Sequence, residues 1–177
     1  MKITQLTEAR RPSPLVLLPL PYDIAALEPV MHRDVVQFHY KTLSKGYVDR
    51  YNAGEGDPEF NRAGALLHNL WWPQLRPPRP NNQPRGLSRQ LIDSTHGSWD
   101  NFKHSFTKTA LDLQGSGWCY MAKDGAIKTL TNQSWKNDVL MPIDLWEHSM
   151  NPYTLRKDYI KTIWQLIDWE AVSQRLK

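Results

Sequence analysis

The chain is organised around the stretch Pro142-Ile143-Asp144-Leu145-Trp146-Glu147-His148. This stretch places a carboxylate, Asp144, and an imidazole, His148, four residues apart. At that spacing both can face one pocket, on a helical turn or where a strand runs into a helix. Both are good ligands for a borderline transition metal, and Trp146 between them would add an apolar wall. Taken alone, the stretch also fits a solvated helix start that Asp144 and His148 cap, with Trp146 in the core.

The length and composition fit one domain, or two small lobes that share a core. The chain has 177 residues, of which 40% are hydrophobic, and several of its eight tryptophans are expected to line a buried site or an interface. A net charge of +4 suits a small anionic substrate. Because no stretch concentrates the Lys and Arg residues, nucleic-acid binding is left open without being indicated.

Cysteine usage and hydropathy bear on the location of the protein. The one cysteine, Cys119, excludes an intramolecular disulfide and a cysteine-based zinc site, and it favours a reducing, intracellular location, mitochondrial or cytoplasmic. No apolar run is long enough to span a bilayer, so no membrane partner is expected. Residues 1–17 are predicted to form an irregular N-terminal extension, where a short organellar presequence is left open.

The apolar pattern predicts helices at both ends of the chain and strands between them. Helical spacing over 31–51 and 59–72, interrupted by a Gly- and Pro-containing turn, predicts an antiparallel helical hairpin. After a proline-rich loop over 73–86, we predict two short helices, three strands and one last helix, over residues 87–92, 98–113, 117–121, 126–131, 139–143 and 155–175. The predicted fold class is α+β, an N-terminal antiparallel helical hairpin plus a C-terminal α/β lobe with a three-stranded antiparallel sheet; the predicted division is 1–17, 18–80 and 81–177.

Four potential metal ligands come from separate parts of this predicted fold. His39 lies in the first helix, His68 in the second, and Asp144 with His148 at the end of the sheet. A lone His on an apolar face is usually a core residue, but three imidazoles and one carboxylate can hold a divalent or trivalent redox metal and leave one position open. The remaining histidines lie on polar stretches and are expected at the surface: His32, His96 and His104.

Five motifs, in order, resemble the iron/manganese superoxide dismutase family over roughly residues 18–177. They are Leu20-Pro21-Tyr22-Asp23 with Ala26-Leu27-Glu28-Pro29, Phe38-His39-Tyr40, Leu67-His68-Asn69 through Trp72, Gln114-Gly115-Ser116-Gly117-Trp118, and Asp144-Leu145-Trp146-Glu147-His148. Residues 164–170 are also similar to the family's closing tryptophan-rich helix. The helical hairpin and the α/β lobe of that family agree with the predicted architecture.

The resemblance implies one manganese or iron ion per chain. The family's metal ligands fall on His39, His68, Asp144 and His148. The glutamine that hydrogen-bonds the solvent molecule at the metal, and so tunes the redox potential, falls on Gln133 in the sheet, and Gly64 stands four residues before the second His ligand. This pattern resembles the manganese type, because in the typical iron type the glutamine comes from the helix.

The surroundings of the implied site partly follow the family and partly depart from it. Tyr47 matches the gateway tyrosine, but Leu43 stands where the family commonly has a second gateway histidine, which removes a titratable donor. The turn between Tyr51 and Phe60 is much shorter than in typical members, which argues against the tetramer that long hairpins build. Ser149-Met150-Asn151 replaces the usual Ala-Tyr-Tyr, so a homodimer is left open. The aromatic surroundings and the usual cross-dimer glutamate correspond to Trp72, Trp118, Trp146 and Glu147.

Two functions from different classes follow from this pattern. The first is a superoxide dismutase, which converts superoxide to O₂ and H₂O₂ by one-electron cycling of the metal. The alternative is a structural subunit of a large assembly, such as a mitochondrial ribosome or a virion, that keeps the fold with reduced or no activity. The four retained ligands favour the enzyme. Leu43, the altered segment after His148, the loop over 73–86 and the N-terminal extension favour assembly. A hydrolytic metalloenzyme is disfavoured, because no spare carboxylate or imidazole is evident as a general base.

Overall fold

The structure is a computed structural model that describes residues 13–150 and 155–177. Most of the predicted N-terminal extension and Asn151 therefore lie outside the described residues. The described part of the chain forms a helical hairpin followed by a lobe of helices and a three-stranded antiparallel sheet, as the sequence predicts. The predicted boundaries at residues 17 and 80 stay predictions.

The helical hairpin has two arms joined by a short turn. The first arm is continuous but contains a π-helical turn, and the arms comprise α1 (Arg33–Phe38), the π-helical turn (His39–Ser44), α2 (Lys45–Ala53) and α3 (Pro58–Trp71). Gly54, at φ 72°, ends α2 in the left-handed conformation that glycine adopts without strain. Asp57 then caps α3 by accepting from the Phe60 N–H at 2.8 Å, and Pro58 takes the first helical position, where its missing N–H costs nothing.

The segment before the hairpin is bound along it by asparagine side chains. Asn52 bonds both the N–H and the carbonyl of Leu15, each at 2.8 Å. Asn69 accepts from the Leu18 N–H at 2.9 Å and donates to the Val16 carbonyl at 2.8 Å. Each amide thus provides one donor and one acceptor, as a neighbouring strand would, and satisfies the backbone of an extended segment.

The C-terminal lobe begins with two helices, α4 (Gly86–His96) and α5 (Trp99–Asp112). The first is five residues longer than predicted, and it ends at Gly97, whose φ is 77°. The second begins after Ser98, whose hydroxyl caps its first turn by accepting from the Asn101 N–H at 3.1 Å. Its apolar face is buried through Phe102, Phe106 and Ala110, as helical spacing predicts.

The sheet has the order β2-β1-β3, with both pairings antiparallel. Its strands are β1 (Gly117–Ala122), β2 (Ile127–Thr131) and β3 (Val139–Asp144). All residues of β1 and β3 are buried, whereas β2 is a half-exposed edge. In the register, Trp118 of β1 lies opposite Asp144, so the last residue of β3 is held beside a large aromatic side chain.

The last helix predicted over 155–175 is wrong as a single element. The chain forms α6 (Arg156–Ile163), a 3₁₀ turn, an extended step and α7 (Trp169–Gln174). At the step, Ile167 is extended and bridges Leu75 of the proline-rich loop, and Asp168 restarts the helix by accepting from two N–H groups of its first turn. The apolar residues that follow helical spacing in this segment are all buried, so periodicity located the buried face but not the break; they are Tyr159, Ile160, Ile163, Trp164, Ile167 and Val172.

One arginine near the C-terminus hydrogen-bonds to residues of both lobes. Arg175 donates to the carbonyl of Leu70 in α3 at 2.5 Å, to the carbonyl of Leu140 in β3 at 2.7 Å, and to the side-chain oxygen of Gln74 at 2.9 Å. Burial lowers the pKa of its guanidinium to about 10.

One buried apolar cluster includes residues of α3, all three strands, α5, α6 and α7, so the lobes share a core. Among the described residues, no helix is both long and apolar enough to cross a bilayer.

Candidate metal centre

The four side chains that sequence analysis singled out meet at the junction of the two lobes. His39 begins the π-helical turn, His68 lies three residues before the end of α3, Asp144 ends β3, and His148 lies in the 3₁₀ turn Glu147–Ser149. One ligand atom from each lies within 4.8 Å of the others. The side chains of His39, His68 and Asp144 are fully buried, and that of His148 is 19% exposed.

The four candidate ligand atoms lie close to one point. The Nε2 atoms of His39 and His68 are 2.8 Å apart. Asp144 Oδ2 lies 3.2 Å from Nε2 of His39, 3.6 Å from Nε2 of His68 and 3.8 Å from Nε2 of His148. Three imidazole nitrogens and one carboxylate oxygen, each from a different part of the fold, therefore converge on a single centre.

Hydrogen bonds on the far side of two ligands fix which atom faces the centre. His68 Nδ1 lies 2.6 Å from the Gly64 carbonyl, which can only accept, so this nitrogen carries the proton and the lone pair of Nε2 points inward. The Trp146 N–H donates to Asp144 Oδ1 at 2.9 Å and leaves Oδ2 for the centre. Such outer hydrogen bonds orient metal ligands and raise their basicity.

The unpaired atoms at the centre fit a metal cation. Asp144 Oδ2 and His148 Nε2 are buried and have no hydrogen-bond partner among the described residues. A buried carboxylate oxygen without a partner is costly, and a cation that all four atoms coordinate would remove that cost. Imidazole and carboxylate suit Mn, Fe and similar metals. The residues present therefore fit the metal that the resemblance implies.

The protonation states also fit a ligand set. Burial lowers the pKa of His68 to about 3, and it also lowers the pKa of His39. Burial alone would raise the pKa of Asp144, but the His148 and His39 rings beside it hold that pKa well below its usual value. At neutral pH the centre thus presents neutral imidazoles at His39 and His68 and an ionised carboxylate, which are the forms that bind metal.

A directed hydrogen-bond chain runs beside the centre. The Trp118 indole donates to Gln133 Oε1 at 3.0 Å, and Gln133 Nε2 donates to the Tyr47 hydroxyl oxygen at 3.2 Å. Because an indole can only donate, this order fixes the amide and leaves the Tyr47 proton free to donate onward. Burial raises the pKa of Tyr47, while the bond from Gln133 opposes the shift, so the phenol stays protonated at neutral pH. The Tyr47 ring lies 5.4 Å from the His68 ring.

Aromatic rings surround the ligands. Trp72 stands edge-on to His39 with ring centroids 4.8 Å apart, and Trp118 stands edge-on to His68 at 5.1 Å. Trp146 lies 5.6 Å from the His148 ring and is only partly buried. Glu147 is exposed, so within one chain the structure does not bring it into the centre.

Sequence reasoning missed some residues near the centre and misplaced another. Ser44 and Tyr159 are buried beside it, the first bonded to His39 and Trp72, the second with a hydroxyl lacking a partner among the described residues. Ser44 carries no pattern signal, and the only cue for Tyr159 is its place in the helical apolar spacing of residues 155–175, which indicates a core residue. The expectation that His96 lies free at the surface is wrong, because it is partly buried between Phe102 and the Gly125 carbonyl.

Comparisons with known proteins agree with this geometry. Residues 15–58 match the family model described as iron/manganese superoxide dismutases, alpha-hairpin domain, and residues 84–175 match the C-terminal domain of the same family. Similar proteins include a superoxide dismutase [Mn/Fe] of Porphyromonas gingivalis, 32% identical with 90% of this chain and 97% of the relative covered. A superoxide dismutase [Fe] of Bacteroides fragilis is 31% identical, with 89% and 96% covered.

A third relative also matches over most of both chains. It is a superoxide dismutase [Fe] of Saccharolobus solfataricus, 30% identical with 91% of this chain and 92% of the relative covered. The family-model matches fall in both lobes and include His39, Asp144 and His148. This chain therefore belongs to the iron/manganese superoxide dismutase family.

Proposed function

We propose that this chain is a metal-dependent superoxide dismutase with one manganese or iron ion per chain. The observation that carries the proposal is the buried convergence of three imidazole nitrogens and one unpaired carboxylate oxygen within 4.8 Å. The ion would be held by His39, His68, Asp144 and His148. Relatives that are about 30% identical over most of both chains and are named superoxide dismutase support the same activity.

The proposed reaction consumes two superoxide anions and two protons. A bound manganese or iron ion would supply one-electron redox chemistry, in which one superoxide is oxidised to O₂ and a second is reduced to H₂O₂. Asp144 contributes the one negative charge among the four ligands and so offsets part of the charge of the cation. Tyr47, protonated and oriented by Gln133, is placed to donate a proton toward the centre.

The protein around the centre would restrict what reaches it. Trp72 and Trp118 are almost fully buried against the ligand rings, which limits the entry of water. The net charge of +4 favours the approach of a small anion. Leu43 is partly buried on the same helical arm as Tyr47 and can neither donate nor accept a proton, so Tyr47 and water carry proton delivery.

We favour manganese over iron as the resident ion. Gln133 is 5% exposed, and both ends of its amide are bonded, so the segment just after β2 supplies a fixed amide next to Tyr47. Gly64 leaves no room for a glutamine from the helix, because a Cβ atom there would lie 2.7 Å from the Tyr47 ring. Hydrogen bonds of this kind tune the redox potential of the bound metal. The relatives include proteins named for Mn/Fe and for Fe.

The comparisons lend no support to a structural subunit of a mitochondrial ribosome or virion, and we do not propose one. The homodimer stays a prediction, as does the intracellular location, mitochondrial or cytoplasmic.

The decisive experiment combines metal analysis with superoxide decay. The purified protein is loaded with manganese or iron, its metal content is measured, and superoxide decay is followed by pulse radiolysis. We expect about one ion per chain and catalytic decay with at least one of the two metals. In His148→Ala we expect loss of metal and of activity, whereas His104→Ala, which replaces an exposed histidine away from the centre, should change neither. Negligible decay at full occupancy would overturn the proposal.

A further inference from the structure

His39 differs from its neighbours in how its ring is held. The His68 ring is fixed by the Gly64 carbonyl, and the Asp144 carboxylate is fixed by the Trp146 N–H. His39 Nδ1 is fully buried, yet among residues 13–150 and 155–177 no group hydrogen-bonds to it. The direction of the His39 ring must therefore be set by its backbone and by the side chains packed against it.

Ser44 connects both of these determinants. Its hydroxyl, at 0% exposure, donates to the His39 carbonyl at 2.9 Å, across the whole π-helical turn that His39 begins and Ser44 ends. The same oxygen accepts from the Trp72 indole at 3.0 Å. Trp72 stands edge-on to the His39 ring, with centroids 4.8 Å apart. One hydroxyl thus joins the backbone that carries the ring to the aromatic side chain that confines it.

We propose that Ser44 is a positioning residue for the metal ligand His39. This inference rests on the proposed metal centre but not on its turnover. A hydroxyl is a compact group that both donates and accepts, and both capacities are used here. An alanine at Ser44 would leave the Trp72 N–H buried without its partner and would free the His39 carbonyl from its side-chain bond. The ring could then tilt, which would weaken and distort coordination.

The test measures metal binding and the electronic environment of the metal. In Ser44→Ala, we expect affinity for Mn(II), measured by competition with a chelator, to fall by about 10- to 100-fold, the usual range when a group supporting a metal ligand is removed. The electron paramagnetic resonance spectrum of the Mn(II)-loaded protein should change, because it reports ligand symmetry. Ser44→Thr keeps the hydroxyl and should regain most of the affinity and the original spectrum.

Ser88→Ala is the matched control. Ser88 is also fully buried in a helix, and its hydroxyl donates to a backbone carbonyl, that of Arg85 at 2.8 Å, away from the metal ligands. Its removal should leave both the affinity and the spectrum unchanged. A similar fall in affinity in Ser88→Ala would overturn the proposal, because the effect would then reflect general loss of stability.

The remaining outcomes also decide the matter. Unchanged affinity and spectrum in Ser44→Ala would overturn the proposal, and so would equal losses in Ser44→Thr and Ser44→Ala, which would point to packing alone. If Ser44→Ala does not fold, Trp72→Phe is tested instead, because it keeps an aromatic ring but removes the indole N–H that donates to Ser44. A changed spectrum in Trp72→Phe supports the proposal, and an unchanged spectrum overturns it. A wild-type protein that binds metal without dismutating superoxide would contradict the proposed function while leaving this test intact.

Discussion

The contact between Gly64 and Tyr47 yields a quantitative prediction. Gly64 lies inside α3, and a Cβ atom added there would stand 2.7 Å from two carbon atoms of the Tyr47 ring. An ordinary contact needs at least 3.4 Å, so in Gly64→Ala the ring must move by about 0.7 Å. The bond from Gln133 Nε2 to the Tyr47 hydroxyl is already 3.2 Å long, and we expect this movement to break it.

The expected change in stability follows from comparison with a second helical glycine. Gly46 lies in α2, where an added Cβ would meet only the end of the flexible Arg50 side chain at 3.0 Å. Both Gly→Ala changes gain about 0.5–1 kcal/mol of helix propensity. Only Gly64→Ala is overpacked, which costs about 1–3 kcal/mol. At about 2–4 °C per kcal/mol for a chain of this size, the Tm of Gly64→Ala should lie roughly 2–12 °C below that of Gly46→Ala.

Two assays at matched metal content test this reasoning. Thermal unfolding gives the difference in Tm between the two variants, and pulse radiolysis gives their rates of superoxide decay. We expect slower turnover in Gly64→Ala and wild-type turnover in Gly46→Ala. Equal Tm values and equal rates in the two variants would show that Tyr47 tolerates the added methyl group and would refute the argument.

Three further predictions concern proton delivery, the amide and pH. Leu43→His should accelerate the proton-limited part of superoxide decay in pulse radiolysis, because it restores a titratable donor; an unchanged rate would mean that Tyr47 and water already suffice. Gln133→Leu should keep the metal, by metal analysis, but shift its reduction potential and reduce turnover, since Tyr47 loses its hydrogen-bond donor; a retained potential would contradict this role. In the metal-free protein, the free energy of unfolding in urea should fall as the pH drops from about 6.5 to about 3, because the unfolded chain protonates His68 first and the folded chain only near pH 3. His39 acts in the same direction, and a pH-independent free energy over this range would contradict both shifts.

The sequence predicted the elements that carry the centre because their signals are local. A short apolar run located β3 and helical spacing located α3, and the Asp144 to His148 interval identified one half of the candidate ligand set. The motif order then related His39 and His68 to that half, although about 75 to 110 residues separate them from Asp144 and His148 along the chain. Their convergence within 4.8 Å is a property of the fold, which spacing alone does not define.

What the sequence did not predict depends on contacts between distant residues. The break at Ile167 exists because Leu75, some ninety residues earlier, pairs with it as an isolated bridge. The π-helical turn at His39 is stabilised by the Ser44 hydroxyl, and no apolar period marks a turn of that kind. His96 likewise lies on a polar stretch, and it is partly buried because it contacts Phe102 and the Gly125 carbonyl in the turn between β1 and β2.

The guanidinium of Arg175 has a consequence for how the chain unfolds. It donates to the carbonyl of Leu70 in α3, two residues after His68, and to the carbonyl of Leu140 in β3, four residues before Asp144. Arg175 itself lies at the C-terminal end of α7. Opening α7 would therefore remove the Arg175 donor from one backbone carbonyl of each lobe at once, those of Leu70 and Leu140. We expect amide protons of α3, β3 and α7 to exchange with solvent through the same rare global opening, as one cooperative unit rather than as separate lobes.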